Sequence, residues 1–238
     1  RMKAAERLIP ADRKTCRLDD PNLRLIVPDR YSLETCRWGG FRDNQLWIGS
    51  THVSAPSVSD PFADADDIPV LLVLLQADRV ENRDLLTSLC SGLPDVGSYR
   101  VRVRSHPKLP LSDAEKLLVA AMDPDWQDVT GQDYQNCIAF RKTVAVTVFS
   151  TSGVDVAAHG AGLIWLPWIT DQAITMCDIM DVVGEKSTNL DELAHLLEEL
   201  NDGTRLAAFC DDCKDQADAF DAAVDICQTF SELEREFE

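Results

Sequence analysis

The chain has 238 residues, 45% of them hydrophobic, and a formal net charge of −18, which gives length and apolar content enough for one large domain or two small ones with a real core. That acidity argues against broad nucleic-acid binding and against adsorption to anionic lipid, because the mean field repels both. No run approaches the ~20 apolar residues that cross a bilayer, and the start, RMKAAERLIP, lacks the apolar core of a secretory signal, so the cytoplasm is the expected compartment.

Two apolar runs come first, LRLIVP at 23–28 and QLWIGS at 45–50, on either side of YSLETCRWGG, a short helix closed by Gly39 and Gly40. Strand, helix, strand reads as the end of an α/β domain. Residues 51–68, THVSAPSVSDPFADADDI, have no hydrophobic period and read as a linker. The expected organisation is therefore 1–62, the end of an N-terminal α/β domain plus linker, and 63–238, a second domain with C-terminal helices.

Within 63–238 strands alternate with helices. PVLLVLLQ (69–76) is followed by a helix in VENRDLLTSLCSG, YRVRVR (99–104) by helices in SDAEKLLVAAM and GQDYQNCIAF, and TVAVTVF (143–149) by the short helix GVDVAAHG. GLIWLPW (162–168), a weak strand DIMDVV (178–183), the helix NLDELAHLLEEL and an amphipathic helical tail from 204 complete the chain. Continuous Val, Leu and Ile runs mark strands covered on both faces, and their alternation with helices marks right-handed crossovers in a parallel sheet. The expected fold class is α/β, a Rossmann-like parallel sheet with helices on both faces, preceded by a fragment of a second α/β domain.

The eight cysteines sit mostly inside apolar or helical patterns, so reduced, buried thiols are expected. CDDC, Cys210 to Cys213, has the spacing of a zinc knuckle or redox pair but lacks a second ligand pair. No metal and no cofactor is expected.

Positive charge gathers in VRVRSHPKLP, where Arg100, Arg102, Arg104 and Lys108 surround His106 and Pro107. In open parallel sheets ligands bind beyond the carboxyl ends of the strands, and two loops there suit an anion. One is RSHPK, in which His106 donates an N–H, Pro107 fixes the loop and Arg104 lies closest to it. The other is STSG, where Ser150, Thr151, Ser152 and Gly153 offer hydroxyl and backbone donors to a phosphate. Both are expected at the ends of neighbouring strands. The three arginines alternate and so share one strand face. Gln76 and Asp155 are possible donor contacts; Asp155 and His159 lie four apart on one helix face, and Trp165 and Trp168 sit at another strand end as buried aromatics or stacking platforms.

VRVRSHP, followed by VFSTSGVDVAAHGAGLIWLPW, resembles the nucleotide-binding half of GT-B glycosyltransferases, especially bacterial sialyl-, polysialyl- and Kdo-transferases of surface polysaccharide. The resemblance covers about 65–200. It implies that His106 and Pro107 match a His-Pro motif, and Ser150, Thr151 and Ser152 a Ser-Ser/Thr motif, that bind a cytidine monophosphate leaving group. It further implies a CMP-sugar donor, a cell-surface glycan acceptor and a catalytic base from an acidic motif in the N-terminal domain. Residues 1–62 contain no such motif, Asp19 and Asp20 being followed by Pro21, so the catalytic residue is unassigned and the chain is expected to be the carboxyl part of a longer enzyme. The alternatives are a non-catalytic nucleotide- or protein-binding α/β module and a sugar-nucleotide epimerase.

Overall fold

The computed structural model describes residues 25–27, 41–42, 46–48, 68–93, 98–150, 152–170 and 180–222. The chain divides into two compact units, 1–53 with 220–238, and 54–219. In the first, β1 (Leu25–Val27) and β2 (Leu46–Ile48) pair in parallel with Leu25 opposite Leu46. The expected helix over 31–40, most of the expected linker and Thr151 lie outside the described residues.

The second unit is built on one sheet. Its strands are β3 (Val70–Leu74), β4 (Arg100–Arg104), β5 (Gln127–Asp128), β6 (Thr143–Thr147), β7 (Gly162–Trp165) and β8 (Glu185–Lys186). They are ordered β5-β4-β3-β6-β7-β8, and every pairing is parallel. Counted from β3, this is the 3-2-1-4-5-6 order of the dinucleotide-binding fold, with the reversal between β3 and β6. β3, β6 and β7 are buried along their whole length, as their unbroken apolar runs require. Leu71, Val73, Val101, Val103, Val144 and Val146 form the middle of the core.

Helices α1 (Arg79–Gly92), α2 (Asp113–Met122), α3 (Tyr134–Cys137), α4 (Ser152–Ala158), α5 (Leu190–Leu200) and α6 (Gly203–Ala222) surround the sheet. Their starts are chemically defined. Asp78 accepts from the N–H groups of Val80 and Glu81 at the head of α1, and Ser112 with Glu115 forms a capping box at the head of α2. Asn189 caps α5, which buries Leu193, Leu197 and Leu200, the i, i+4, i+7 stripe of an amphipathic helix.

Three sequence expectations are corrected. The helix expected over GQDYQNCIAF shrinks to the four residues of α3: Gly131 before it has φ +80°, and after it Thr143 Oγ1 bonds both the N–H (2.7 Å) and the C=O (2.9 Å) of Ala139, holding 138–142 in a turn. Of the strand expected over 178–183, the described residues 180–183 are a helix end and a turn, and the edge strand is β8 instead. Gly184 makes that change of direction at φ +81°, with the Leu163 carbonyl oxygen 2.6 Å from where a Cβ would stand. β5 was not anticipated, because its two residues are polar and exposed and give no period to read.

No helix among the described residues is long and apolar enough to cross a membrane.

Candidate functional site

The carboxyl ends of β4 and β6 lie on either side of β3, not beside each other as expected. Leu74 of β3 is level with Arg104 on one side and Thr147 on the other. Two strand spacings make the gap between the loops about 10 Å, the reach of a phosphate with its attached ribose.

β3 closes this gap through Gln76, which is only 5% exposed. Its backbone N–H donates to Asn82 Oδ1 at 2.6 Å, and its Nε2 donates to Thr147 Oγ1 at 2.8 Å. Thr147 Oγ1 in turn donates to the Leu74 carbonyl and accepts the N–H of Ser150 at 3.2 Å. The Gln76 side chain thus uses one N–H of its amide to fasten the topological switch point.

The loop after β4 is held at both ends. Ser105, buried, donates its N–H to Thr130 Oγ1, and the two hydroxyls bond to each other, each contact at 2.9 Å. The Leu109 N–H donates to the His106 carbonyl at 2.8 Å, closing a turn in which Pro107 takes the second position, where its fixed φ fits. Beyond the turn, Arg79 donates to the Pro110 carbonyl and to Glu115 Oε2 at 2.6 Å, tying the head of α1 to that of α2. His106 is presented half-exposed from this rigid frame, while Pro107 and Lys108 are exposed. The Lys108 N–H donates to His106 Nδ1 at 3.2 Å. With Nδ1 accepting, the neutral ring carries its proton on Nε2, which is then a hydrogen-bond donor.

Two arginines of β4 bond to the chain between β5 and β6. Arg102 is 6% exposed and donates to the Cys137 carbonyl at 3.0 Å; burial pulls its guanidinium below the usual range. Arg104 Nη1 donates to the Gln132 carbonyl at 2.5 Å and lies within 3.2 Å of Cys137 Sγ. Its guanidinium stacks 4.5 Å from the centre of the Tyr134 ring.

Across β3, Ser150 and Ser152 are half-buried and Gly153 is buried. The Gly153 N–H is already taken by the Ser150 carbonyl at 2.9 Å. A Cβ on Gly153 would come within 2.9 Å of Leu163 Cδ1 and 3.3 Å of Trp165 Cη2, so this glycine permits close seating of α4 on β7. Among the described residues, Ser150 and Ser152 bring hydroxyl donors to this side. His159 Nδ1 contacts the Asp155 backbone oxygen at 2.7 Å.

Tyr134, which the sequence reading placed inside an unremarkable helix, joins the two sides. Its hydroxyl donates to Ser152 Oγ at 3.1 Å, and its ring lies 6.0 Å from that of His159. Burial raises its phenol, the Ser152 bond opposes this, and Asp155 raises it further. Glu81 was also missed: buried in the first turn of α1, it is pushed up by burial while accepting Thr170 Oγ1 at 2.8 Å, which links α1 to the segment after β7.

The remaining candidates pack against the core. Trp165 is fully buried and donates to the Val183 carbonyl at 2.6 Å; Trp168 is half-buried against the core. Cys210 and Cys213 pack from α6 against β6 and β7, and burial pushes both thiols up to about 12, so neither is a ready nucleophile or ligand.

No protein-family model and no curated protein matches the sequence. Among solved structures, the chain is similar to a sucrose-phosphate synthase from Thermosynechococcus elongatus, with TM-score 0.60 and 14% identity, over 89% of this chain and 57% of that one. It is similar to HepE of Anabaena, solved in complex with UDP and glucose, with TM-score 0.58 and 10% identity, over 95% of this chain and 68% of that one. It is also similar to a glycosyltransferase from Rickettsia africae, with TM-score 0.60 and 9% identity, over 90% of this chain and 63% of that one. The fold is that of GT-B glycosyltransferases, and the chain spans little more than half the length of the synthase.

Proposed function

We propose that the chain is the donor-binding part of a glycosyltransferase that takes its sugar from a nucleotide-activated donor. The observation that carries this reading is that β4 and β6, whose following chain bears His106 and Lys108 on one side and Ser150 and Ser152 on the other, flank β3 in a GT-B fold. As the glycosidic bond to the nucleotide breaks, negative charge grows on the departing phosphate. Donors fixed in advance lower that barrier more than mobile ones, because nothing has to reorganise when the charge appears. His106 Nε2–H on one side and the hydroxyls of Ser150, Thr151 and Ser152 on the other are proposed as those donors, with Pro107 setting the angle of the ring. Arg104 serves the site by holding Tyr134, and Gln76 and Gly153 by fixing the strand end and the seat of α4. Asp155, beside Tyr134 and His159, is kept as a ribose contact. The base that activates the acceptor is assigned to no residue of this chain.

The finer reading, from the His-Pro and Ser-Thr-Ser motifs, is a CMP-sugar donor and a cell-surface glycan acceptor. The similarity to HepE, solved with UDP and glucose, supports a UDP-sugar as the second choice. Calorimetric titration with CMP, CDP, UDP and GDP decides between them. Tightest binding by CMP supports the finer reading, tightest binding by UDP replaces it, and no binding by any of the four defeats the proposal.

A further inference from the structure

We infer that Tyr134 is a positioning residue that aims the Ser152 hydroxyl at the nucleotide's phosphate, an inference that rests on the site proposed above. A serine hydroxyl has one proton and two lone pairs and rotates to suit its surroundings. Tyr134 donates into Ser152 Oγ at 3.1 Å, so one lone pair is filled and the serine's own proton is left for an acceptor on another side. An anionic phosphate oxygen is such an acceptor, and two hydroxyls in line strengthen one another as donors. The direction of this relay is held by its surroundings. Arg104 lies over the ring at 4.5 Å and is itself held by the Gln132 carbonyl, so tilting the ring forfeits that stacking contact. Burial raises the phenol, and Asp155 raises it further by its charge and by a side-chain hydrogen bond, so the phenol stays a donor and the Asp155 carboxylate is the competing acceptor of its one proton.

The experiment compares Tyr134→Phe, Ser152→Ala and the double variant, each titrated with CMP and with UDP after urea denaturation has shown it folded. Tyr134→Phe keeps the ring beneath Arg104 and removes only the donor. It is expected to weaken nucleotide binding about threefold to tenfold, the range of one neutral hydrogen bond. The double variant should bind no more weakly than Ser152→Ala alone, because the phenol acts only through that hydroxyl. In the nucleotide-free protein, Ser152→Ala should move the ionisation of one tyrosine, followed by tyrosinate absorbance, to higher pH, since the phenolate loses a hydrogen-bond partner; a tyrosine that merely fills space would not respond. Binding by Tyr134→Phe equal to that of the parent, while Ser152→Ala is weakened, overturns the inference and leaves the site standing. So do losses that add in the double variant. A parent that binds neither CMP nor UDP overturns the site and the inference together.

Discussion

Strand β4 and the turn that follows it both carry basic side chains, yet these end in different surroundings. Arg102 is enclosed and bonded to the Cys137 carbonyl, and Arg104 is stacked on Tyr134 and bonded to the 129–137 loop. His106 and Lys108, two and four residues further on, face outward from a turn anchored at Ser105 and Leu109. The difference teaches that clustered charge in a sequence is not one feature. The guanidiniums satisfy backbone carbonyls of the irregular crossover between β5 and β6, a task that suits a planar group with five donors. The half-exposed imidazole and the exposed ammonium are the groups proposed for the ligand.

Removing an enclosed side chain of this set should therefore injure the fold, and removing one from the turn should injure only binding. The largest effect is expected for Arg102→Ala, which leaves the Cys137 carbonyl without its donor and empties the space of a packed side chain. About 2–4 kcal/mol of stability should be lost in urea denaturation, with nucleotide affinity of the folded fraction unchanged. His106→Ala should do the reverse: nucleotide binding weaker by about 1.5–3 kcal/mol, the range for a hydrogen bond to a charged group, at an unaltered unfolding midpoint. A loss of stability as large as that of Arg102→Ala would erase the contrast between strand and turn.

Arg104→Met tests the intermediate case. It should cost about 1 kcal/mol in each measurement, because the guanidinium holds both the 129–137 loop and the ring of Tyr134. The smallest effect belongs to Lys108→Ala. Its ammonium is exposed, so it should contribute under about 1 kcal/mol to nucleotide binding, and that share should fade between low and high salt.

Much of the architecture was readable in the sequence. β3, β6 and β7 announce themselves as unbroken apolar runs, and Ser112 with Glu115 and Asn189 before an apolar stripe mark the starts of α2 and α5. What the sequence hid was non-local. Nothing in 99–104 or 143–149 says that these strands flank β3 instead of pairing with each other, since strand order depends on where each crossover returns. The burial of Arg102 could have been suspected: β4 lies inside the sheet, so its second face had to be covered, and a covered arginine must find acceptors. The role of Tyr134 was obscured because the apolar spacing of GQDYQNCIAF imitates a helix, while Gly131 and the bonds of Thr143 to Ala139 confine it to one turn.

The central claim is that a nucleotide lies across the end of β3 with His106 Nε2–H on its phosphate. Nitrogen-resolved NMR of the histidine-labelled protein, recorded before and after addition of CMP and of UDP, observes that atom directly. The account predicts that His106 Nε2 shifts on addition of one of them while His195, exposed on α5, stays in place. A nucleotide that binds with the His106 signals unmoved would contradict it.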